Sequence, residues 1–121
     1  VMIIAIPAEE KSLDSVISIN FGRSPYYCIY DTEKEQSTFV ENKAVERSGG
    51  AGVEAAQDLV DRKIDALVTF RLGDHASKVL TAAKIKVLKA VNLSIADNIA
   101  KVLDHSLEEL NEVHPGGINK G

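Results

Sequence analysis

At 121 residues, 45% hydrophobic and 26% charged, the chain has enough material for one cored domain and too little for two of ordinary size. A net charge of −4 with no cluster of Lys and Arg argues against nucleic acid as a partner. The longest apolar run is too short for a bilayer, and the lone Cys28 excludes an internal disulfide or a four-thiolate metal site. The chain reads as a cytoplasmic protein with no membrane partner. Its core must come from Val, Ile, Leu and Ala, because aromatics make up only 5% and Trp is absent.

In chain order, Met2 to Ile6 is an apolar run that reads as a buried strand ended by Pro7. Residues from Ala8 to Ser18 are mixed and polar, as in a loop. Tyr26 to Tyr30 and Ser37 to Glu41 flank the charged turn Asp31 to Gln36 and read as a hairpin. After Ser48-Gly49-Gly50-Ala51-Gly52 the period changes. Val53, Ala56, Leu59 and Val60 share one face of a helix. Ala66 to Phe70 is a compact strand, and Asp74 is placed to cap a helix carrying Ala76, Val79, Leu80 and Ala83. Ile85 to Leu88 is a short strand. Ser94 would cap a last helix with the stripe Ile95, Ile99, Val102, Leu103, Leu107 and Leu110.

The order is therefore β-β-β-α-β-α-β-α. Strands reached through helices run parallel to a neighbour, so the expectation is an α/β fold with a mixed five-stranded sheet and helices packed on it, similar to the ribonuclease H-like motif. Residues 1–113 read as one domain and 114–121, after Pro115-Gly116-Gly117, as a flexible tail.

Two helix starts follow small residues, one at Gly49, Gly50 and Gly52 and one at Arg71, Gly73 and His75. A helix start offers unpaired N–H groups and partial positive charge, and Gly lets an anion approach the backbone. The loop Asn20-Phe21-Gly22-Arg23-Ser24-Pro25 adds the fixed charge of Arg23. The three loops would suit a compact anionic ligand if they converge, although tight turns alone also explain such glycines. Neither the dinucleotide fingerprint nor a P-loop is present. The first strand lacks the carboxylates that a two-metal nuclease needs. Glu9, Glu10, Asp14 and Asp31 read as loop or turn residues, and Ser48 has no His-Asp partner nearby. No enzyme is expected. Cys28 lies among apolar residues, where a free Cys is usually a small hydrophobe. His75 is the best placed of the three histidines, with His105 in the last helix and His114 in the tail.

Met2-Ile3-Ile4-Ala5-Ile6-Pro7, Asn20-Phe21-Gly22-Arg23-Ser24-Pro25-Tyr26-Tyr27, Gly49-Gly50-Ala51-Gly52 with Ala55-Ala56-Gln57, and Arg71-Leu72-Gly73-Asp74-His75-Ala76 occur in that order between Met2 and Leu88. Together they resemble the dinitrogenase iron–molybdenum cofactor biosynthesis family, which includes NifX-like proteins and the C-terminal domain of NifB-like proteins. The resemblance implies a ribonuclease H-like fold and a non-enzymatic carrier or scaffold for an anionic iron–sulfur or iron–molybdenum cluster precursor. Cluster-donor or acceptor proteins would be its partners. The implied contacts are Asn20, Gly22, Arg23, Gly49, Gly50, Gly52, Arg71, Gly73 and His75, with His75 and, less naturally, Cys28 as metal ligands. Many relatives carry His where Asn20 stands, and an amide is a poor ligand for iron. The alternatives are a ligand-free interaction or homodimerisation module, using an edge strand such as Ser37 to Glu41, and a phosphate- or nucleotide-binding domain.

Overall fold

The computed structural model describes residues 2–46 and 49–110, so Ser48, His114 and the expected tail lie outside the described residues. The elements are β1 (Ile3–Ala8), β2 (Tyr26–Asp31), β3 (Gln36–Glu41), α1 (Ala51–Asp61), β4 (Ala66–Thr69), α2 (Asp74–Ala82), β5 (Lys86–Lys89) and α3 (Ile95–Leu103). Short 3₁₀ turns at Phe21–Arg23 and Lys43–Glu46 precede β2 and α1. The sheet order is β3-β2-β1-β4-β5. β1 pairs antiparallel with β2 and parallel with β4, β2 antiparallel with β3, and β4 parallel with β5.

β1 is apolar along its length because both of its faces are covered. Ala5 faces the layer of α1 and α2, with Tyr27, Leu67, Ala56, Leu59 and Leu80. Ile4 and Ile6 face α3, with Cys28, Val68, Ile95 and Ile99. The β2–β3 turn is held by Asp31, whose Oδ1 accepts from the N–H groups of Glu33 (2.9 Å) and Lys34 (3.1 Å).

Four expectations change. Pro7 does not end β1: it sits inside the strand, in register with Tyr27. Its carbonyl accepts from Ser18 N–H at 3.0 Å. In a strand the nitrogen faces the same side as the carbonyl, here the side away from β2. The β1–β4 register covers only Ile4 and Ala5, so the missing N–H costs no ladder bond. In α1, Val53 is exposed and Ala51 and Ala55 are buried instead, which rotates the packed face. Small residues there let α1 lie close to α2. Asp74 is the first residue of α2, and Gly73 holds the cap position without a side-chain bond. The last helix stops at Leu103, half exposed, and His105 adopts φ 61° just beyond the cap.

Leu107 and Leu110 still pack on the core, but from an extended segment. Lys89 N–H donates to Glu108 O at 2.7 Å and Leu110 N–H to Val87 O at 3.0 Å, so this segment runs along β5 and covers that edge. Among the described residues, no helix is long and apolar enough to cross a membrane.

Candidate functional site

The loop before β2 and the starts of α1 and α2 meet around a cavity of about 600 Å³, within the roughly 300–1,000 Å³ common for small-molecule sites. Asn20, Gly22 and Arg23 stand on its first wall, Gly50 and Gly52 on its second, and Arg71, Gly73 and His75 on its third. Gly49 is not part of the lining. Apolar surface from Ile19, Phe21, Val53 and Leu72 completes it. Phe21 and Leu72 belong to the loop motifs, whereas Ile19 and Val53 carry none, and only their position beside the glycines could have pointed to them.

Both helices start from a glycine cap. The first helical bond of α1 runs from Glu54 N–H to Gly50 O at 3.0 Å, and that of α2 from Ser77 N–H to Gly73 O at 2.9 Å. The N–H groups of Ala51, Gly52 and Val53, and of Asp74, His75 and Ala76, therefore lie outside the helical ladders. Neither cap residue, Gly50 or Gly73, supplies a side-chain bond. The third helix, α3, packs on the other face of the sheet and does have one, with Ser94 Oγ accepting from Asp97 N–H at 3.1 Å. Gly50 adopts φ 75°, a left-handed conformation that suits Gly and turns the chain into α1.

Gly22 has a different constraint. A Cβ placed on it would lie 2.8 Å from both the Cα and the N of Gly52. The first wall thus touches the backbone of α1 directly, and the two sets of N–H groups are neighbours. Asn20 accepts the N–H of Arg23 through Oδ1 at 3.3 Å, closing the 3₁₀ turn as an N-cap. The amide at this position serves the turn's own backbone.

The two arginines differ. Arg23 Nη1 donates to Val45 O at 2.8 Å, tying this wall to the turn before α1. The guanidinium of the exposed Arg71 makes no hydrogen bond or ion pair among the described residues. Asp74, the nearest acid in sequence, turns to Lys78 at 3.6 Å and is not part of the lining. Among the described residues, no Asp, Glu or Cys lines the cavity, and no group of three or more His, Cys, Asp or Glu able to hold a metal occurs. Among the described residues the donor set is cationic and N–H based, with His75 as its one side chain suited to ligate a transition metal.

Cys28 lies outside this site. It is fully buried in β2 among Ile4, Ile6 and Val68 on the α3 side of the sheet. Burial pushes its thiol up to about 12, so at neutral pH it is an inert thiol. Unfolded, it would ionise near 8.5. Between those values the unfolded chain has lost a proton that the native chain keeps, so stability falls as pH rises. The contribution is complete below the unfolded thiol's range and is lost progressively as pH rises toward about 12. The urea midpoint is expected to drop between pH 8 and pH 10, and to drop less in Cys28→Ala. Equal pH slopes in the two proteins would contradict a buried thiol.

A model of the family described as dinitrogenase iron-molybdenum cofactor matches residues 2–105. No curated protein is similar enough in sequence to be matched. Among solved structures, the apo form of the orange protein from Desulfovibrio gigas is 29% identical, with a TM-score of 0.86 over 91% of this chain and 93% of that one. A NifB candidate from Thermotoga, described as a member of the DUF35 family, is 32% identical, with a TM-score of 0.83 over 97% of this chain and 100% of that one. A dinitrogenase candidate from Methanocaldococcus jannaschii is 18% identical, with a TM-score of 0.69 over 92% of this chain and 96% of that one, and shares the fold. With the family pattern spanning all three cavity walls and the sheet beneath them, this chain belongs to the dinitrogenase iron–molybdenum cofactor family.

Proposed function

We propose that this chain is a carrier or scaffold that holds an anionic metal–sulfur cluster, or a precursor of one, in the cavity between residues 20–24 and the starts of α1 and α2. The observation that carries the reading is the convergence of helix-start N–H groups and the Arg71 guanidinium, which has no partner among the described residues, on a cavity that no described carboxylate lines. Cluster sulfides are large, soft and weakly hydrated. They accept hydrogen bonds from N–H groups and tolerate apolar neighbours such as Ile19 and Val53, as outer-shell donors around such clusters do. An anion at helix starts also gains from the helix dipole. Few covalent ligands are then needed, and His75 is the candidate for one. Among the described residues His75 is the only titratable group in the lining besides the arginines, and the site is suited to holding its cargo and poorly equipped to transform it.

The test is anaerobic incubation with iron, sulfide and molybdate, then desalting and visible absorption. Retained charge-transfer bands are the expected result. A protein that leaves the column colourless under metal excess would contradict the reading. A second reading, pairing between copies of the chain, has the position of β3 in its favour: it is the edge strand that no other described segment covers. Sedimentation at rising concentration would detect such pairing.

A further inference from the structure

Two buried side chains from elsewhere in the sheet set the peptide orientation of the first cavity wall. Tyr27 on β2 donates its hydroxyl hydrogen to the Phe21 carbonyl. Asn42, just after β3, donates through Nδ2 to the carbonyls of Gly22 (3.0 Å) and Ser24 (2.8 Å). Its Oδ1 accepts from Ala44 N–H at 3.0 Å, so Asn42 is itself held in place. Both side chains are buried, Tyr27 to 1% exposure. Three carbonyls of the turn are thereby drawn toward the protein interior.

Every described peptide is trans, and in a trans peptide the C=O and N–H point in opposite directions. Holding the Phe21 carbonyl inward therefore turns the Gly22 N–H outward. Gly22 lines the cavity, and its N–H has no acceptor among the described residues. The next N–H, that of Arg23, is already taken by Asn20, through its backbone oxygen at 3.2 Å and its side chain at 3.3 Å. Burial, and to a smaller extent the Asp58 carboxylate, hold the Tyr27 phenol far above its ordinary range, so it stays a donor.

Resting on the reading that the cavity takes a metal–sulfur anion, we propose that Tyr27 is a positioning residue: its bond to Phe21 aims the Gly22 N–H at the anion, and Asn42 secures the adjoining peptide. The opposite peptide orientation would present a carbonyl oxygen to a negative ligand. Gly22 packs against Gly52, so the aimed N–H extends the row of donors at the start of α1. Such a donor, fixed before the ligand arrives, adds affinity without an ordering cost on binding.

The experiment follows backbone amide resonances of the ¹⁵N-labelled protein during anaerobic titration with tetrathiomolybdate, a discrete molybdenum–sulfide anion. In the wild type, the Gly22 amide proton is expected to move downfield with those of Gly52 and Ala76. Tyr27→Phe keeps the ring and its packing. There the Gly22 response should vanish while that of Gly52 persists, and affinity should fall roughly tenfold, as for loss of one charge-assisted bond. If Tyr27 only supported packing, Gly22 would still respond at saturation in the variant, and that result overturns the proposal. So does a wild type in which Gly52 responds and Gly22 does not, a comparison that needs no variant. If no cavity amide responds in the wild type, the carrier reading itself fails and this inference with it.

Discussion

Gly22→Ala is expected to lower the thermal midpoint by roughly 8–12 °C, a loss of about 2–3 kcal/mol for a domain of this size. The added methyl would sit 2.8 Å from the Cα and N of Gly52 and 3.2 Å from the Ala51 carbonyl carbon. All three are backbone atoms, so no side chain can swing aside. Neither partner is free to retreat. Ala55, Ala56 and Leu59 anchor α1 in the core, and Asn42 and Tyr27 hold the loop through its carbonyls. Something must move, and the first and second walls of the cavity would part. Gly49→Ala is the matched control. Nothing lies within 4 Å of a Cβ there and its φ is not left-handed, so the change should stay within about 0.5 kcal/mol. Equal stability of the two variants in a thermal melt would contradict the contact between the loop and α1.

The second large effect is on binding. Arg71→Glu should weaken capture of a metal–sulfur anion by roughly a hundredfold or more while leaving the melting temperature nearly unchanged. The stability half of this expectation follows from exposure: the guanidinium has no hydrogen bond or ion pair to lose among the described residues. The binding half follows from chemistry. A guanidinium–anion hydrogen bond contributes roughly 1.5–3 kcal/mol, and reversing the charge adds repulsion that Arg71→Ala would not. Arg23→Ala is less clean as a test, because it also removes the tie to Val45 that holds this wall. Equilibrium titration with tetrathiomolybdate, paired with a melt of each variant, separates the two roles. Wild-type affinity in Arg71→Glu would remove Arg71 from the site.

The order of strands and helices was legible because each element carries its period in its own residues. Ile4, Ala5 and Ile6 are apolar in succession because helices cover both faces, and the stripe Ile95, Ile99 and Val102 marks one helical face. Local patterning failed where neighbours decide. Pro7 ends a strand by propensity, yet continues this one because the side facing away from β2 has no β4 partner at that point. Leu107 and Leu110 continue a helical spacing by coincidence, and the pairing of this segment with Val87 and Lys89 explains why they are partly buried.

Three short glycine-bearing motifs from distant parts of the chain line the cavity together. The separate tasks of the glycines were not legible. Gly22 is required by close approach and Gly50 by a left-handed φ, whereas Gly49 has open space around it. Those differences exist only after the loops pack. The roles of Tyr27 and Asn42 were also hidden, although a buried tyrosine on a strand always raises the question of what its hydroxyl meets.

The most direct measurement is a crystal structure of protein loaded anaerobically with iron, sulfide and molybdate, with anomalous scattering recorded at the molybdenum and iron absorption edges. The account predicts an anomalous peak in the cavity between Gly22, Gly52 and Gly73, within reach of Arg71. A peak elsewhere, at Cys28 or on the outer surface, with this cavity holding only solvent, would contradict it.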